Sequence, residues 1–97
     1  MFVVIVTYLR PLSEVDAAVP DHRAFLARHY AAGTFLLSGP QVPRSGGVIL
    51  ARNVSRDALT ALLAEDPFSQ RGLAEYRIVE FAPNLAAADF AHLLPAD

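Results

Sequence analysis

The chain of 97 residues contains no cysteine. It also contains no lysine, since its eight lysine or arginine positions are all arginine. Without cysteine there is no disulfide, no thiolate nucleophile, no zinc–thiolate site and no iron–sulfur cluster. Without lysine there is no side-chain amine to form an imine with a carbonyl substrate or with pyridoxal phosphate. These two absences exclude several large classes of enzyme chemistry.

The sequence also lacks a basic cluster and a long apolar run. The formal net charge is -2, and the arginines are scattered, so there is no positive stripe of the kind that dominates nucleic-acid affinity. No apolar stretch approaches the roughly 18 residues that would cross a bilayer. Residues 1–9 have neither the basic region nor the cleavage site of a signal peptide. We therefore expect a cytoplasmic protein with no nucleic-acid partner and no membrane partner.

Apolar residues are abundant, at 54% of the chain. A chain of this length forms one domain, here residues 1–97, and buries only about 60 to 65% of its unfolded surface when it folds alone. A partner subunit would add to that burial, so the composition favours an oligomer.

The apolar pattern predicts strands and helices in the order β-α-β-β-α-β, followed by a short terminal helix. Residues 2–9 are β-branched and aromatic without polar alternation, which is typical of a strand covered on both faces. Apolar residues then recur at helical spacing as far as Gly33, and the firm part of this helix is expected to begin near Pro20, with residues 13–18 either included or forming a separate turn. The later elements are a strand at 34–38, a loop at 41–47, a strand at 48–53, a helix capped by Ser55, a turn at 68–72, a strand at 74–81 and a helix at about 85–94.

This order predicts an α+β, ferredoxin-like fold in which two helices cover one face of a four-stranded antiparallel sheet. The other face is then bare, although the first strand offers apolar side chains to both faces. Such a face exceeds the apolar patch that monomers usually expose. We therefore expect a homodimer in which a second sheet packs on the bare face.

Two ionisable residues occupy positions where packing alone would favour apolar side chains. His22 precedes Leu26 by one helical turn on the apolar stripe, so its ring is expected to face the sheet. It is either a half-buried structural histidine or a group that moves a proton, since imidazole takes and returns protons near neutral pH. Asp66 precedes Pro67 and so lies at or beyond the end of the second helix. It caps a turn, orients His22 or does both, and the spacing does not determine whether the two residues meet.

A third candidate is the Ser38-Gly39-Pro40 corner that follows the second strand. It is either a plain turn or a pocket wall that presents the Ser38 hydroxyl and the Gly39 amide to a substrate oxygen. Nucleophilic catalysis by Ser38 is disfavoured, because the strand-to-helix elbow and its glycine spacing are absent.

Other ionisable residues are weaker candidates. His22 and His29 are seven positions apart, about 10 Å along a helix axis, which is too far for one metal ion without a bend. Arg10 and Arg23 flank the first strand–helix junction, where they either bind an anionic substrate or are simply solvated.

The order of His22, the Ser-Gly-Pro corner and the Asp-Pro-Phe turn at 66–68 resembles the YciI-like (YCII-related) family over about residues 2–81. The resemblance implies a dimeric α+β barrel in which the matching histidine and aspartate form the active-site pair. It also implies a cofactor-independent enzyme that isomerises a small organic molecule or eliminates a group from it. The family includes a dehydrochlorinase that acts on a chlorinated hydroxyhydroquinone, and similar barrels include muconolactone isomerase.

The expected site follows from the residues and the resemblance together. The competing function is a non-catalytic dimer that binds a small metabolite or docks on a larger enzyme. We expect no cofactor and no metal, catalysis by His22 and Asp66, and substrate binding by Ser38, Gly39 and Pro40.

Overall fold

The computed structural model describes residues 1–95, within which a four-stranded antiparallel sheet has the strand order β2-β3-β1-β4. The strands are β1 (Phe2–Tyr8), β2 (Phe35–Pro40), β3 (Gly46–Ala51) and β4 (Ala74–Glu80). The helices are α1 (Leu12–Ala31), α2 (Arg56–Leu63), the short α3 (Pro67–Gln70) and a terminal 3₁₀ helix (Ala88–Leu93). The predicted ferredoxin-like α+β fold is confirmed.

Strand β1 lies at the centre of the sheet, where its β-branched residues fit the pleated surface. It pairs with β3 and β4, and Val4 stands opposite Ile49 on one side and Ile78 on the other. Its side chains alternate between the faces. Phe2, Val4 and Val6 are buried beneath the helices, whereas Val3 and Ile5 point to the opposite face and are only half-buried.

Helix α1 is continuous, so the prediction that its firm part begins near Pro20 was wrong. Pro20 cannot donate a backbone hydrogen bond to the carbonyl of Asp16, which weakens the helix locally. Val15 and Ala18 are nevertheless fully buried, and their packing stabilises the turns before the proline. The helix ends at Ala31, and Gly33 follows it with a positive φ of 81°, as expected for a glycine stop.

The predicted corner at residues 38–40 was also wrong, because these residues lie within β2, which ends at Pro40. Strand β2 is at the edge of the sheet, where a proline without an N–H group is tolerated. Strand β3 begins at Gly46, inside the predicted loop. A Cβ atom on Gly46 would collide with the carbonyl of Val6, so glycine permits this close approach of two strands.

The second half of the chain follows the prediction more closely. Ser55 caps α2 by accepting a hydrogen bond from the amide of Ala58 at 3.1 Å. The predicted turn at 68–72 is instead the single helical turn α3, and the terminal helix expected at about 85–94 is the 3₁₀ helix Ala88–Leu93. The last two positions of the expected 1–97 domain lie outside the described residues. No helix within residues 1–95 is long and apolar enough to cross a membrane.

The core lies between the helices and the inner face of the sheet. Its buried side chains are Phe2, Val4, Val6, Val15, Ala18, Phe25, Phe35, Ile49, Ala51, Leu59, Leu63, Phe68, Leu73 and Ala74. The opposite face, here called the outer face, carries an apolar row defined by the strand register: Val3, Ile5, Leu37, Val48, Leu50 and Val79. Leu37 is 61% exposed, so this row has no cover in the single chain.

Candidate active site

His22 projects from the middle of α1 and lies against the aromatic ring of Phe68. The two rings are nearly parallel, with centroids 3.9 Å apart and planes inclined by 7°. The His22 side chain is 16% exposed, so most of the ring is buried and one edge is accessible. This packing fixes the ring plane before any polar contact is considered.

Asp66 lies directly behind His22 and is completely buried. Its two carboxylate oxygens are 2.9 and 3.0 Å from Nδ1 of His22. Because Asp66 precedes Pro67, its backbone is extended, with φ -60° and ψ 130°, and it forms the N-cap of α3. Oδ1 accepts the backbone N–H of Phe68 at 3.0 Å. Asp66 therefore performs both tasks considered from the sequence, capping the turn and contacting His22.

Tyr76 is a third member of this group, and it was not predicted from the sequence. It lies on β4 opposite Val6, facing the helices, and its hydroxyl donates to Oδ2 of Asp66 at 2.5 Å. Burial is the larger cause and this hydrogen bond the smaller one of a pKa of Tyr76 that is raised well above the usual tyrosine range. The hydroxyl therefore keeps its proton. The sequence offered one indication of this contact, because a tyrosine in a strand that packs on the core needs a hydrogen-bond partner for its hydroxyl. The strand pattern alone did not identify that partner.

The carboxylate of Asp66 is thus contacted by the His22 ring, the Tyr76 hydroxyl and the Phe68 amide. Multiple donors offset the cost of burying a carboxylate away from water. A carboxylate accepts hydrogen bonds, so it selects the form of His22 that carries a proton on Nδ1. In the neutral ring the lone pair then resides on Nε2, which can act as a base.

His22 forms part of the wall of an open cleft of about 530 Å³ between α1 and the inner face of the sheet. Of the expected substrate-binding residues, Ser38, Gly39 and Pro40 all line this cleft, together with His22, whereas Asp66 lies behind it. The Ser38 hydroxyl is 2.5 Å from the hydroxyl of Tyr30. Much of the remaining surface is apolar and comes from Val6, Val19, Leu26, Ile49 and Phe68.

The mouth of the cleft is charged. Arg44, in the loop between β2 and β3, forms a 2.6 Å ion pair with Asp16 on α1. Its guanidinium also lies 5.7 Å from the ring centre of Tyr8. The contact with Asp16, and then that with Tyr8, raises the pKa of Arg44 further above its normal range. An arginine is charged at any physiological pH. Arg23 lines the same cleft, whereas Arg10 pairs with Glu14 and is not among the lining residues.

His29, the other histidine of α1, packs among aromatic side chains. Its ring centre is 4.7 Å from that of Phe25 and 5.2 Å from that of Phe35. Across residues 1–95 there is no cluster of three His, Cys, Asp or Glu side chains suited to a metal ion.

A four-stranded ferredoxin-like sheet with a histidine–carboxylate pair at an open cleft defines a small α+β domain. The family model for the YCII-related domain matches residues 1–82, so the chain belongs to this family. The fold is similar to that of 5-chloro-2-hydroxyhydroquinone dehydrochlorinase from Burkholderia phenoliruptrix AC1100, solved in complex with 2,5-dihydroxybenzoquinone. That similarity has a TM-score of 0.61 at 18% identity and covers 84% of this chain and 93% of the other. A search of curated proteins finds no match.

Proposed function

We propose that this protein is a small-molecule enzyme in which His22 transfers a proton during an isomerisation or an elimination. The observation that supports it most directly is the contact between Nδ1 of His22 and the buried carboxylate of Asp66, at 2.9 Å. A histidine with one nitrogen fixed in this way and its ring on a cleft has the arrangement of a general base. The dehydrochlorinase activity of the structurally similar protein belongs to the same reaction class.

In the proposed reaction, Nε2 of His22 removes a proton from an acidic C–H or O–H bond of the substrate. The electron pair of that bond forms a new double bond. In an elimination, a leaving group such as chloride departs with its bonding electrons, and His22 passes the proton on to water. In an isomerisation, an existing double bond of the substrate shifts its electron pair to a different carbon, which takes the proton back from His22. The carboxylate of Asp66 stabilises the imidazolium that forms, so Asp66 acts as a positioning residue.

The proposed substrate is a small, flat, oxygenated ring. The volume of about 530 Å³ and the largely apolar lining suit such a molecule. Ser38, hydrogen-bonded to Tyr30, supplies a hydroxyl group in the lining that can bind a substrate oxygen. The dihydroxybenzoquinone bound by the similar structure is a ligand of this kind.

The exchange of His22 for glutamine tests the proposal, after the purified protein has been screened against halogenated hydroquinones, quinols and cyclic lactones. His22→Gln keeps the size of the side chain but removes the base, so kcat should fall by about 10²- to 10⁴-fold. Asp66→Asn should also remove most activity, and the double variant should be little worse than the more damaging single one, because the two residues act as a unit. His29→Gln is the matched control, since it makes the same change on the same helix among core aromatics.

Two results would contradict the enzyme proposal. One is turnover by His22→Gln at the rate of the unmodified protein, and the other is multiplicative loss of rate in the double variant. Either result would show that His22 and Asp66 do not act together as the base, whereas ligand binding without turnover of any screened compound would favour the non-catalytic binding module.

The same proposal includes a homodimer formed through the outer face, acting in the cytoplasm as the single domain 1–97. The uncovered apolar row supports it, because stable interfaces bury about 1,500 Å² or more and are apolar at their centre. Ile5→Asp places a charge on the outer face and should give a folded monomer by light scattering, whereas Val4→Asp places one in the core and should unfold the chain. A monomeric unmodified protein at micromolar concentration would refute the dimer.

A further inference from the structure

We propose that the mouth of the cleft binds a negatively charged oxygen group of the ligand through Arg44 and Arg23, and that Asp16 competes with that group for Arg44. The ligand class is a small ring compound bearing a carboxylate or an ionised hydroxyl. This inference rests on the proposed function for the ring-shaped ligand, and it adds that the ligand carries a negative charge.

The charge of the cleft differs in sign from that of the whole protein. The chain has a formal net charge of -2. The charged residues lining the cleft, apart from His22, are Arg23 and Arg44 against Asp16, two positive and one negative, which gives +1. A local positive charge between low-dielectric walls attracts anions even when the protein as a whole is acidic.

Arg44 is suited to exchange one carboxylate for another. Its recorded ion pair joins one terminal nitrogen, Nη2, to a single oxygen of Asp16. A guanidinium has five N–H donors in a planar fork, so other donors remain for a second oxygen group. The partners are 37% and 55% exposed, and exposed ion pairs contribute little stability, so a ligand anion can displace Asp16 at small cost.

Arg23 adds a second positive charge next to the proposed base. It follows His22 directly on α1 and lines the cleft with it. Within residues 1–95 no ion pair of Arg23 is recorded, in contrast to Arg71, which contacts Asp21 at 2.6 Å. An anionic group bound between Arg23 and Arg44 would leave the ring of the ligand against the apolar surface formed by Val19, Leu26 and Ile49.

Benzoate and benzamide provide the test, because they have nearly the same shape and differ in charge. Binding of each is measured by NMR titration of the intact protein, using residues of the cleft as reporters, at low and at high salt. Asp16→Asn is compared with Asp21→Asn, and Arg44→Gln and Arg23→Gln are compared with Arg71→Gln. The Arg71–Asp21 pair is a matched control, since it has the same 2.6 Å separation and similar exposure but lies outside the cleft.

The proposal predicts that benzoate binds more tightly than benzamide and that added salt reduces the difference. Arg44→Gln and Arg23→Gln should each weaken benzoate binding by about 3- to 10-fold without changing benzamide binding, as expected for a lost charge-assisted contact. Asp16→Asn should strengthen benzoate binding by removing the competitor. The control variants should behave as the unmodified protein.

The proposal is overturned if benzoate does not bind in the cleft, if benzamide binds equally well, or if Asp16→Asn behaves like Asp21→Asn. Measurement of both probes on His22→Gln separates this question from catalysis. If His22→Gln still prefers benzoate over benzamide, the anion site is supported whatever the catalytic rate of that variant. Failure of the proposed proton transfer would appear only in the catalytic rate and not in the binding of the two probes.

Discussion

Two of the contacts that link α1 to the rest of the protein lie at the same cleft, and each joins a basic residue to a carboxylate. At the inner end His22 contacts Asp66, and at the mouth Arg44 contacts Asp16. The polar atoms are 2.9 Å apart in the first and 2.6 Å apart in the second, so distance does not distinguish the two pairs. Burial does, because Asp66 is fully buried whereas the Asp16 side chain is 55% exposed.

Burial decides whether water can replace a partner in each of the two pairs. Water can replace either partner of the exposed pair, so the pair contributes little to stability and exchanges readily. No water reaches Asp66, and its removal would leave the Tyr76 hydroxyl and the Phe68 amide without their recorded acceptor. The inner pair is therefore suited to fixed geometry, and the outer pair is suited to recognition of a charged ligand.

The largest expected effect comes from removal of the buried carboxylate. Asp66→Ala should lower the free energy of unfolding by about 3 to 5 kcal/mol, because it removes the cap of α3 and leaves buried donors unpaired. Urea denaturation at pH 7 measures this loss, with Asp21→Ala as an exposed control. A loss below about 1 kcal/mol would mean that burial does not separate the two pairs, since changes at exposed pairs fall in that range.

Tyr76→Phe should have an intermediate effect and lower the free energy of unfolding by about 1 to 2 kcal/mol at pH 7, because it removes one donor to a buried carboxylate and little volume. The effect should also depend on pH. The folded state raises the pKa of Tyr76 above its unfolded value of 10.0, so the stabilisation is complete below pH 10. Above that value the unfolded chain loses the proton first, and stability falls by about 1.4 kcal/mol per pH unit.

Denaturation between pH 8 and pH 11 checks this dependence. The stability difference between the protein and Tyr76→Phe should be constant up to about pH 9.5 and should narrow above it. A difference that stays constant to pH 11 would contradict the raised pKa.

The smallest expected effect is at the mouth of the cleft. Asp16→Asn should change the free energy of unfolding by less than about 0.5 kcal/mol, because an exposed ion pair contributes little. The same variant should nevertheless change benzoate binding, which separates a binding role from a structural one. A loss of stability close to that of Asp66→Ala would remove the contrast between the pairs.

The fold was largely predictable from the sequence because its signals are local. The β-branched run over residues 2–9 predicted the first strand, and Gly33 and Ser55 predicted a helix stop and a helix start. The errors occurred where tertiary packing overrides local preference. Buried Val15 and Ala18 stabilise a helix through Pro20, and the edge position of β2 accommodates Pro40 within a strand.

The sequence alone determined which residues were available for chemistry, since it lacks cysteine and lysine and has an unusual histidine on an apolar helix stripe and an aspartate before a proline. It could not determine that His22 and Asp66 touch, because they are 44 positions apart and only the packing of α1 against α3 brings them together. The contacts of Tyr76, Arg44 and Asp16 likewise required the tertiary structure. Hydrogen bonds and charge interactions act over a few ångströms, and in this protein the folded sheet and helices decide which groups lie within that range.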